Sequence, residues 1–313
     1  MNPTLLLISP LVGGYTLDLV LGDPSWLPHP VVVFGSVIAC GDRYLNRGSA
    51  AVRLVSGGLF TLVTVAGAWG VTAGLLAMAR WLSVWEGVAV AMIGVFFGLA
   101  NRTLVSEGRA VFAALREGLD AGRRQLSRIV GRDTANLTPQ QVRTATFETM
   151  AENLCDGVVA PLFYFALGGV PAMMAYKMVN TLDSMIGHHD EKHEWFGKTA
   201  ARLDDVANFI PARLTAALMV LVTGSVRGAR FAWRYGRAHA SPNAGYPEAA
   251  LAGIIDARFG GPNRYDGEWV EKPWIGENSR EIEDKEINTV SYVNHAVCAV
   301  ACVLAALWLI YRS

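Results

Sequence analysis

Charge is scarce in this sequence. Only 17% of the 313 residues are Asp, Glu, Lys or Arg, while 52% are hydrophobic. An ordinary soluble domain carries about 25% charged residues, so water is not the solvent for much of this surface. The charges that exist cancel, 27 basic against 27 acidic, and no basic run is interleaved with aromatics. That absence removes nucleic acid from the expected partners. Cysteine is equally sparse: Cys40, Cys155, Cys298 and Cys302 form no C-x-x-C pair, which argues against a zinc cluster or a redox dithiol. Cys298 and Cys302, one helical turn apart in an apolar run, read as packing thiols. The chain also lacks a P-loop, a G-x-S-x-G elbow and an H-E-x-x-H pair. Asp156-Gly157-x-x-Ala160 opens like an alcohol-phosphatidyltransferase motif, but Pro161 stands where that motif needs arginine. No basic residue precedes the apolar stretch Leu5 to Leu21 and no cleavage site follows it, so it reads as a retained helix rather than a secretory signal.

What the sequence has instead is long apolar runs. A membrane-spanning helix needs about 20 mostly apolar residues, because lipid offers its backbone no hydrogen bonds. Leu54 to Ala79 and Thr289 to Tyr311 meet that test; Leu5 to Leu21 and Val84 to Asn101 meet it with one acidic interruption each. Gly157 to Tyr176 is long enough but contains Pro161, Gly168, Gly169 and Pro171, and Phe209 to Gly224 is short and contains Pro211 and Arg213. Either of these two is a broken span or a re-entrant element. The expectation is therefore an all-α, polytopic membrane protein of four to six membrane-embedded helices forming a single domain over 1–313.

Eight arginines between Arg102 and Arg143 place that segment, and with it 102–150, in the cytoplasm by the positive-inside rule. Counting back through two spans places the loop Asp23 to Arg53 there too. Within the basic segment Phe112, Leu115, Leu119, Leu126 and Ile129 recur at helical spacing, giving an amphipathic helix that either lies on anionic headgroups or packs on the rest of the protein. The segment 225–288 is expected as a cytoplasmic loop.

Three polar clusters abut the apolar runs. Thr138-Pro139-Gln140-Gln141 starts a helix, and at 100° per residue Glu148, Thr149, Glu152, Asn153 and Asp156 fall within about 140° of one side. Lys177, Asn180, Asp183 and Ser184 form the second cluster, and Arg202, Asp204, Asp205 and Asn208 the third. Like charges so close repel unless a cation relieves them. Oxygen donors without thiolate or imidazole suit Mg²⁺, with Glu152, Asp156, Asp183 and Asp205 as the candidate ligands. His188-His189 and His193 read more simply as part of a solvated loop. Gly260-Gly261-Pro262-Asn263 offers backbone amides that could face a phosphate, although a glycine pair is more often a turn. A secondary transporter would also carry broken helices and intramembrane charge, but no internal repeat supports one.

Taken together, the motifs resemble the membrane-bound adenosylcobinamide-phosphate synthases of cobalamin biosynthesis. The matching pieces are Leu17-Asp18 with Gly22-Asp23-Pro24, Leu27-Pro28-His29-Pro30-Val31, Glu152-Asn153-Leu154-Cys155-Asp156-Gly157 and Asn180-Thr181-Leu182-Asp183-Ser184-Met185. They continue through Arg202-Leu203-Asp204-Asp205-Val206-Ala207-Asn208, Ser241-Pro242-Asn243-Ala244-Gly245 with Pro247-Glu248-Ala249, and Gly260-Gly261-Pro262-Asn263 before Pro273-Trp274-Ile275-Gly276. Cys155 and Val32 depart from the pattern. The resemblance implies a multi-pass enzyme of the inner (cytoplasmic) membrane that consumes ATP to join a propionate carboxylate of adenosylcobyric acid to aminopropanol or its phosphate. It also implies partners of the same pathway or a second copy of the chain. Glu152, Asp156, Asp183 and Asp205 are then the expected catalytic and Mg²⁺-binding carboxylates, one of them or Lys177 being the base. Arg143, Arg202 and Arg213 are expected on the aminopropanol phosphate. His29, Asn153, Asn180, Ser184, Asp204, Asn208, Asn243, Glu248 and Asn263 are expected on substrate.

Overall fold

The computed structural model describes residues 3–24, 26–188, 190–265 and 268–312; His189 of the histidine loop lies outside them. In chain order the helices are α1 Pro3–Leu21, α2 Pro30–Leu45, α3 Ala50–Leu82, α4 Val84–Gly98, α5 Asn101–Glu117, α6 Leu119–Leu126 and α7 Pro139–Leu154. A π-helical turn, Cys155–Val159, leads into α8 Ala160–Ile186, and α9 Lys198–Ala207, α10 Phe209–Thr223, α11 Val226–Tyr235, α12 Gly245–Ile255 and α13 Glu286–Arg312 follow. Strand among the described residues is confined to two antiparallel pairs. β1 (Phe259–Gly260) pairs with β4 (Trp274–Ile275), and β2 (Asn263–Tyr265) with β3 (Glu268–Val270). The fold is all-α, as expected.

Ala50–Leu82, Val84–Glu117, Pro139–Ile186 and Glu286–Arg312 are each long and apolar enough to cross a membrane. The pair α9–α10, bent by 44°, makes a fifth if it counts as one span, and Leu6–Leu21 is a shorter apolar helix. On α3 the side chains of Leu59, Leu62, Val63, Val71 and Leu75 are exposed. Exposed apolar area on that scale requires lipid around it, and the chain is a multi-pass membrane protein.

The chain forms two compact units. Met1–Ala100, Ala160–Asn208 and Cys302–Ser313 make unit 1; Asn101–Val159 and Phe209–Ala301 make unit 2. In unit 1 small residues let the helices, and the turn before α9, approach closely. A Cβ at Gly57 of α3 would lie 2.0 Å from the Phe196 carbonyl oxygen, and one at Gly98 of α4 would lie 2.4 Å from the Met173 methyl of α8. Such close approach is how helices associate where lipid removes the hydrophobic drive between them. Ile38, Met178, Leu182, Ile186 and Phe196 form its buried core. The break foreseen in Gly157 to Tyr176 falls at Gly168–Gly169, whose backbone leaves the helical region (Gly169 φ 69°, ψ −161°). Pro171 then has no N–H to give the carbonyl of Leu167, and Arg312 donates to that oxygen instead at 2.9 Å.

In unit 2 the stripe of Phe112, Leu115, Leu119, Leu126 and Ile129 does not lie on lipid. Val111 and Leu126 pack with Val142 and Ala145 of α7, with Leu115, Leu119 and Ile129 at the edge of the cluster, and Phe112 stacks on Phe147. Two segments expected as loops are corrected. Asp23 to Arg53 contains α2, started by His29 as N-cap and Pro30, and 225–288 contains α11, α12 and the four short strands.

Candidate functional site

In unit 2, α7 carries the first set of carboxylates. Its start is a full capping box: Gln141 N–H donates to Thr138 Oγ1 at 3.3 Å, and Thr138 N–H donates to Gln141 Oε1 at 2.8 Å. Three turns on, Glu148 is buried with both oxygens engaged. Arg132 Nη2 donates to Oε2 at 2.7 Å and the Gly260 amide to Oε1 at 2.6 Å. Arg132 also donates to Asn263 Oδ1 at 3.1 Å, and Asn263 Nδ2 to the Gly261 carbonyl at 3.0 Å. The amides of Gly260 and Gly261 are thus taken, the second by the Pro273 carbonyl at 3.3 Å. The glycine turn does not cradle a phosphate with these N–H groups; it holds Glu148 and a strand partner.

Glu248 of α12 lies buried in the same centre. Burial pushes its carboxyl well above the usual range, and the charges of Glu148 and Glu152 push the same way against Lys272 and Arg132. Its surroundings therefore favour the protonated form more than water does. His239 Nε2 stands 3.8 Å from Glu248 Oε1. Its Nδ1 accepts from the Ser241 amide at 3.0 Å, which leaves the proton of the neutral ring on Nε2, facing Glu248. Burial, then Lys272, lowers the affinity of this ring for a second proton. Asp156 sits half-buried in the π turn, so the regular 100° arc assumed from Glu148 to Asp156 ends at Leu154. Such turns recur at functional sites because they re-aim side chains.

Unit 1 holds the other set. Asn208, buried at the α9–α10 bend, donates to Asp204 Oδ2 at 3.0 Å and accepts from Tyr176 OH at 2.9 Å. Tyr176 stacks on Tyr164, whose hydroxyl donates to the Ala207 carbonyl at 3.0 Å. Asp204 is buried, accepts hydrogen bonds from Asn208 and Asn180, and lies close enough to Asp183 and Asp205 for their charge to act on it. A Cβ at Gly187 would lie 2.0 Å from Asp183 Oδ1, so only glycine leaves room for that carboxylate. Among the described residues no group of three or more His, Cys, Asp or Glu is placed to hold a metal ion. Mg²⁺ ordinarily takes one or two carboxylates and completes its shell with water and substrate phosphate. One or two of Asp183, Asp204 and Asp205 would supply the protein's share of such a shell, the rest coming from water and substrate.

A family model described as CobD/Cbib protein matches residues 11–293. The chain belongs to the CobD/CbiB family. It is 45% identical over 284 residues to the cobalamin biosynthesis protein CobD of Klebsiella pneumoniae and 44% identical over 284 residues to the cobalamin biosynthesis protein CbiB of Salmonella choleraesuis. Each comparison covers 88% of this chain and 89% of the relative. No solved structure matches. Membership in the CobD/CbiB family carries a role in cobalamin biosynthesis, and the expectation drawn from the motifs holds at that level.

The CobD/CbiB motif residues divide between the units: Glu152, Asn153, Asp156, Asn243, Glu248 and Asn263 in unit 2, His29, Asn180, Asp183, Ser184, Asp204, Asp205 and Asn208 in unit 1. Several hold local structure. His29 caps α2, accepting from the Val31 amide at 3.1 Å; Asn153 and Ser184 donate to carbonyls one turn back, at 3.0 and 2.9 Å. Arg143 is paired with Asp284 at 2.9 Å. Arg202 is exposed and 3.9 Å from Asp205. Arg213 is held between the rings of Phe209 and Tyr246, at 3.7 and 4.2 Å, and donates to Asn243 at 3.1 Å. Lys177 is half-buried on α8. Arg132 and His239 are functional candidates that the sequence did not single out. Arg132 is one of many arginines in a basic segment, and the only signal for His239 is its place just before Ser241-Pro242-Asn243.

Proposed function

We propose that the chain forms an amide between a propionate carboxylate of adenosylcobyric acid and the amino group of aminopropanol or its phosphate. ATP is the co-substrate, and the enzyme works in the inner (cytoplasmic) membrane. The observation that carries the reading is the unit 2 centre of a CobD/CbiB chain: a buried Glu248 beside the charge-compensated Glu148 and the α7 carboxylates.

A carboxylate resists nucleophiles until one oxygen is made a leaving group. Transfer of the terminal phosphoryl of ATP to that oxygen releases ADP and gives an acyl phosphate. The amine then attacks the acyl carbon; the C–N bond forms, the C–O bond to phosphate breaks and phosphate leaves. The proton lost by the amine goes to Glu152 or Asp156, with Lys177 as the other base within the motif set. Asp183 and Asp205, whose charges act on the buried Asp204, would hold Mg²⁺, which when bound offsets phosphate charge.

The test is mass-spectrometric detection of amide product from purified full-length protein given adenosylcobyric acid, ATP, Mg²⁺ and each amine. Product that depends on ATP, and that falls at least 100-fold in Glu152→Ala and Asp183→Ala, supports the reading. Absence of product from either amine overturns it, and corrinoid counterflow in liposomes under the same conditions would identify a transporter.

A further inference from the structure

Beside the Glu148–Arg132 pair, unit 2 contains a cavity of about 140 Å³ lined by Arg132, Arg258, Arg280, Thr144, Ser279 and Trp274, with Glu148 and the glycine turn behind them. Two of its arginines are committed. Arg132 holds Glu148 and Asn263. Arg280 donates to Glu286 Oε2 at 3.0 Å and to the Asp256 carbonyl, also at 3.0 Å, closing the C-terminus of α12.

Arg258 differs from both. Its guanidinium lies on the Trp274 ring, 3.9 Å from the centroid, and among the described residues it makes no ion pair or hydrogen bond. The pairing of β1 with β4 sets Gly260 opposite Trp274. Gly261, at φ 82°, lies so close to the indole that any Cβ there would be 2.3 Å from it. The glycine turn therefore fixes the ring and leaves Arg258 half-buried beside the cavity. The Thr144 and Ser279 hydroxyls on its wall and rim likewise have no hydrogen bond among the described residues.

We propose that this cavity is the site of a phosphate monoester, with Arg258 as its principal ligand. The paired arginines cancel against Glu148 and Glu286, so the wall keeps one net positive charge, that of Arg258. A guanidinium engages two oxygens of an oxyanion in parallel and still has donors left. A carboxylate would be satisfied by that alone, whereas a phosphate monoester has a third terminal oxygen, for which the Thr144 and Ser279 hydroxyls are the available donors. Size narrows the ligand further. Sites that enclose drug-sized ligands run to about 300–1,000 Å³, so this cavity encloses a phosphate with a few carbons, whereas most of a nucleotide or a corrin ring would stand outside it. This assignment rests on the amide-forming reading for its substrate, aminopropanol phosphate, but not for its chemistry.

Two measurements on detergent-purified full-length protein separate the two. In the first, inorganic phosphate raises the thermal unfolding midpoint of the wild type, and that rise is lost in Arg258→Gln and reduced in the double variant Thr144→Val, Ser279→Ala. The same variants must unfold cooperatively without phosphate; if Arg258→Gln does not, Arg258→Lys, which keeps the charge without the fork, is expected to bind phosphate more weakly than wild type. In the second, Arg258→Gln raises KM for aminopropanol phosphate at least tenfold more than KM for aminopropanol, with KM for ATP and for the corrinoid moved less than threefold. A phosphate effect equal in wild type and every Arg258 variant overturns the site, whether or not turnover is seen. A rise in KM confined to ATP or to the corrinoid overturns the ligand. Loss of all amide product with phosphate binding intact would sink the reaction and leave the phosphate site standing.

Discussion

Glu148 shows how a motif neighbour can matter more than the motif. Its two oxygens take an arginine and a backbone amide, and Arg132 and Glu148 are nearly excluded from solvent, their side chains 13% and 5% exposed. Removing one member of a buried pair leaves the other charge uncompensated, at a cost of roughly 3–5 kcal/mol. Glu148→Ala and Arg132→Ala should each lower stability by about 3 kcal/mol or more, and the double variant should cost clearly less than the sum. Denaturant unfolding of the four proteins checks this, and additive losses would refute the pairing. Glu248 makes a different prediction. Its native carboxyl binds its proton more tightly than the unfolded chain's, whose value is near 4.5, so its contribution is complete below about pH 4.5 and is lost as pH rises through the native value. His239 works in the opposite sense: neutral in the fold, it costs stability as pH drops below about 6.5. Glu248→Gln keeps the neutral shape, so the midpoint of the variant relative to wild type should rise between about pH 5 and about pH 8. Thermal unfolding at both values decides it, and a difference independent of pH would show that Glu248 is ionised in the fold. At this scale the sequence exposed the residue types but not their partners. Glu152 and Asp156 were visible as carboxylates on a helix leading into lipid, whereas one partner of Glu148, the Gly260 amide, lies over a hundred residues away and leaves no local signal.

The helices themselves were more legible, because length and apolar composition decide them in lipid. Gly168, Gly169 and Pro171 announced their break. The π turn at Cys155–Val159 was marked only by the single Gly157, and one glycine inside a helical pattern is usually tolerated. α11 and α12 were hidden for another reason: Gly, Pro and Arg around them imitate loop composition. Their order comes from tertiary packing, with a Cβ at Gly253 of α12 lying 2.7 Å from the Gly228 Cα of α11. Glycines that permit close approach should be intolerant where those on open faces are not. Gly57→Ala sets a methyl against the Phe196 carbonyl, and overpacking of this kind costs about 1–3 kcal/mol or more. A methyl at Gly70 on the same helix would meet nothing within 4 Å, so Gly70→Ala should be neutral or stabilising by up to about 1 kcal/mol. Thermal unfolding of the two variants tests the contrast; equal midpoints would mean that α3 does not rest on the 190–197 segment.

That contact also bears on how the chain is threaded through the membrane. Sequence alone left the Asn180 and Asp204 clusters on either side, depending on whether the two broken segments cross. Unit 1 adds a restraint. Lys192 pairs with Asp42 of α2 at 2.5 Å, Asn46 Nδ2 donates to the Lys192 carbonyl at 3.0 Å, and Arg53 donates to the Glu191 carbonyl at 3.2 Å. The segment joining α8 to α9 is therefore fastened to the turn joining α2 to α3, and the two must lie on the same side. That turn and the helix ends beside it carry Arg43, Arg47 and Arg53, and clustered arginines next to an apolar helix stay in the cytoplasm. The helix that follows, α3, has 33 residues, about 50 Å at 1.5 Å each, and so crosses the roughly 30 Å of hydrocarbon with length to spare. Asp190 should then face the cytoplasm, where ATP is. Cys40 is the one exposed cysteine and the other three are buried, so Cys40→Ser supplies the background for Asp190→Cys as a reporter. A membrane-impermeant maleimide should modify that reporter in inverted vesicles and leave it untouched in intact cells. Labelling from outside the cell would reverse the side of both segments and remove the Asp204 cluster from any cytoplasmic nucleotide.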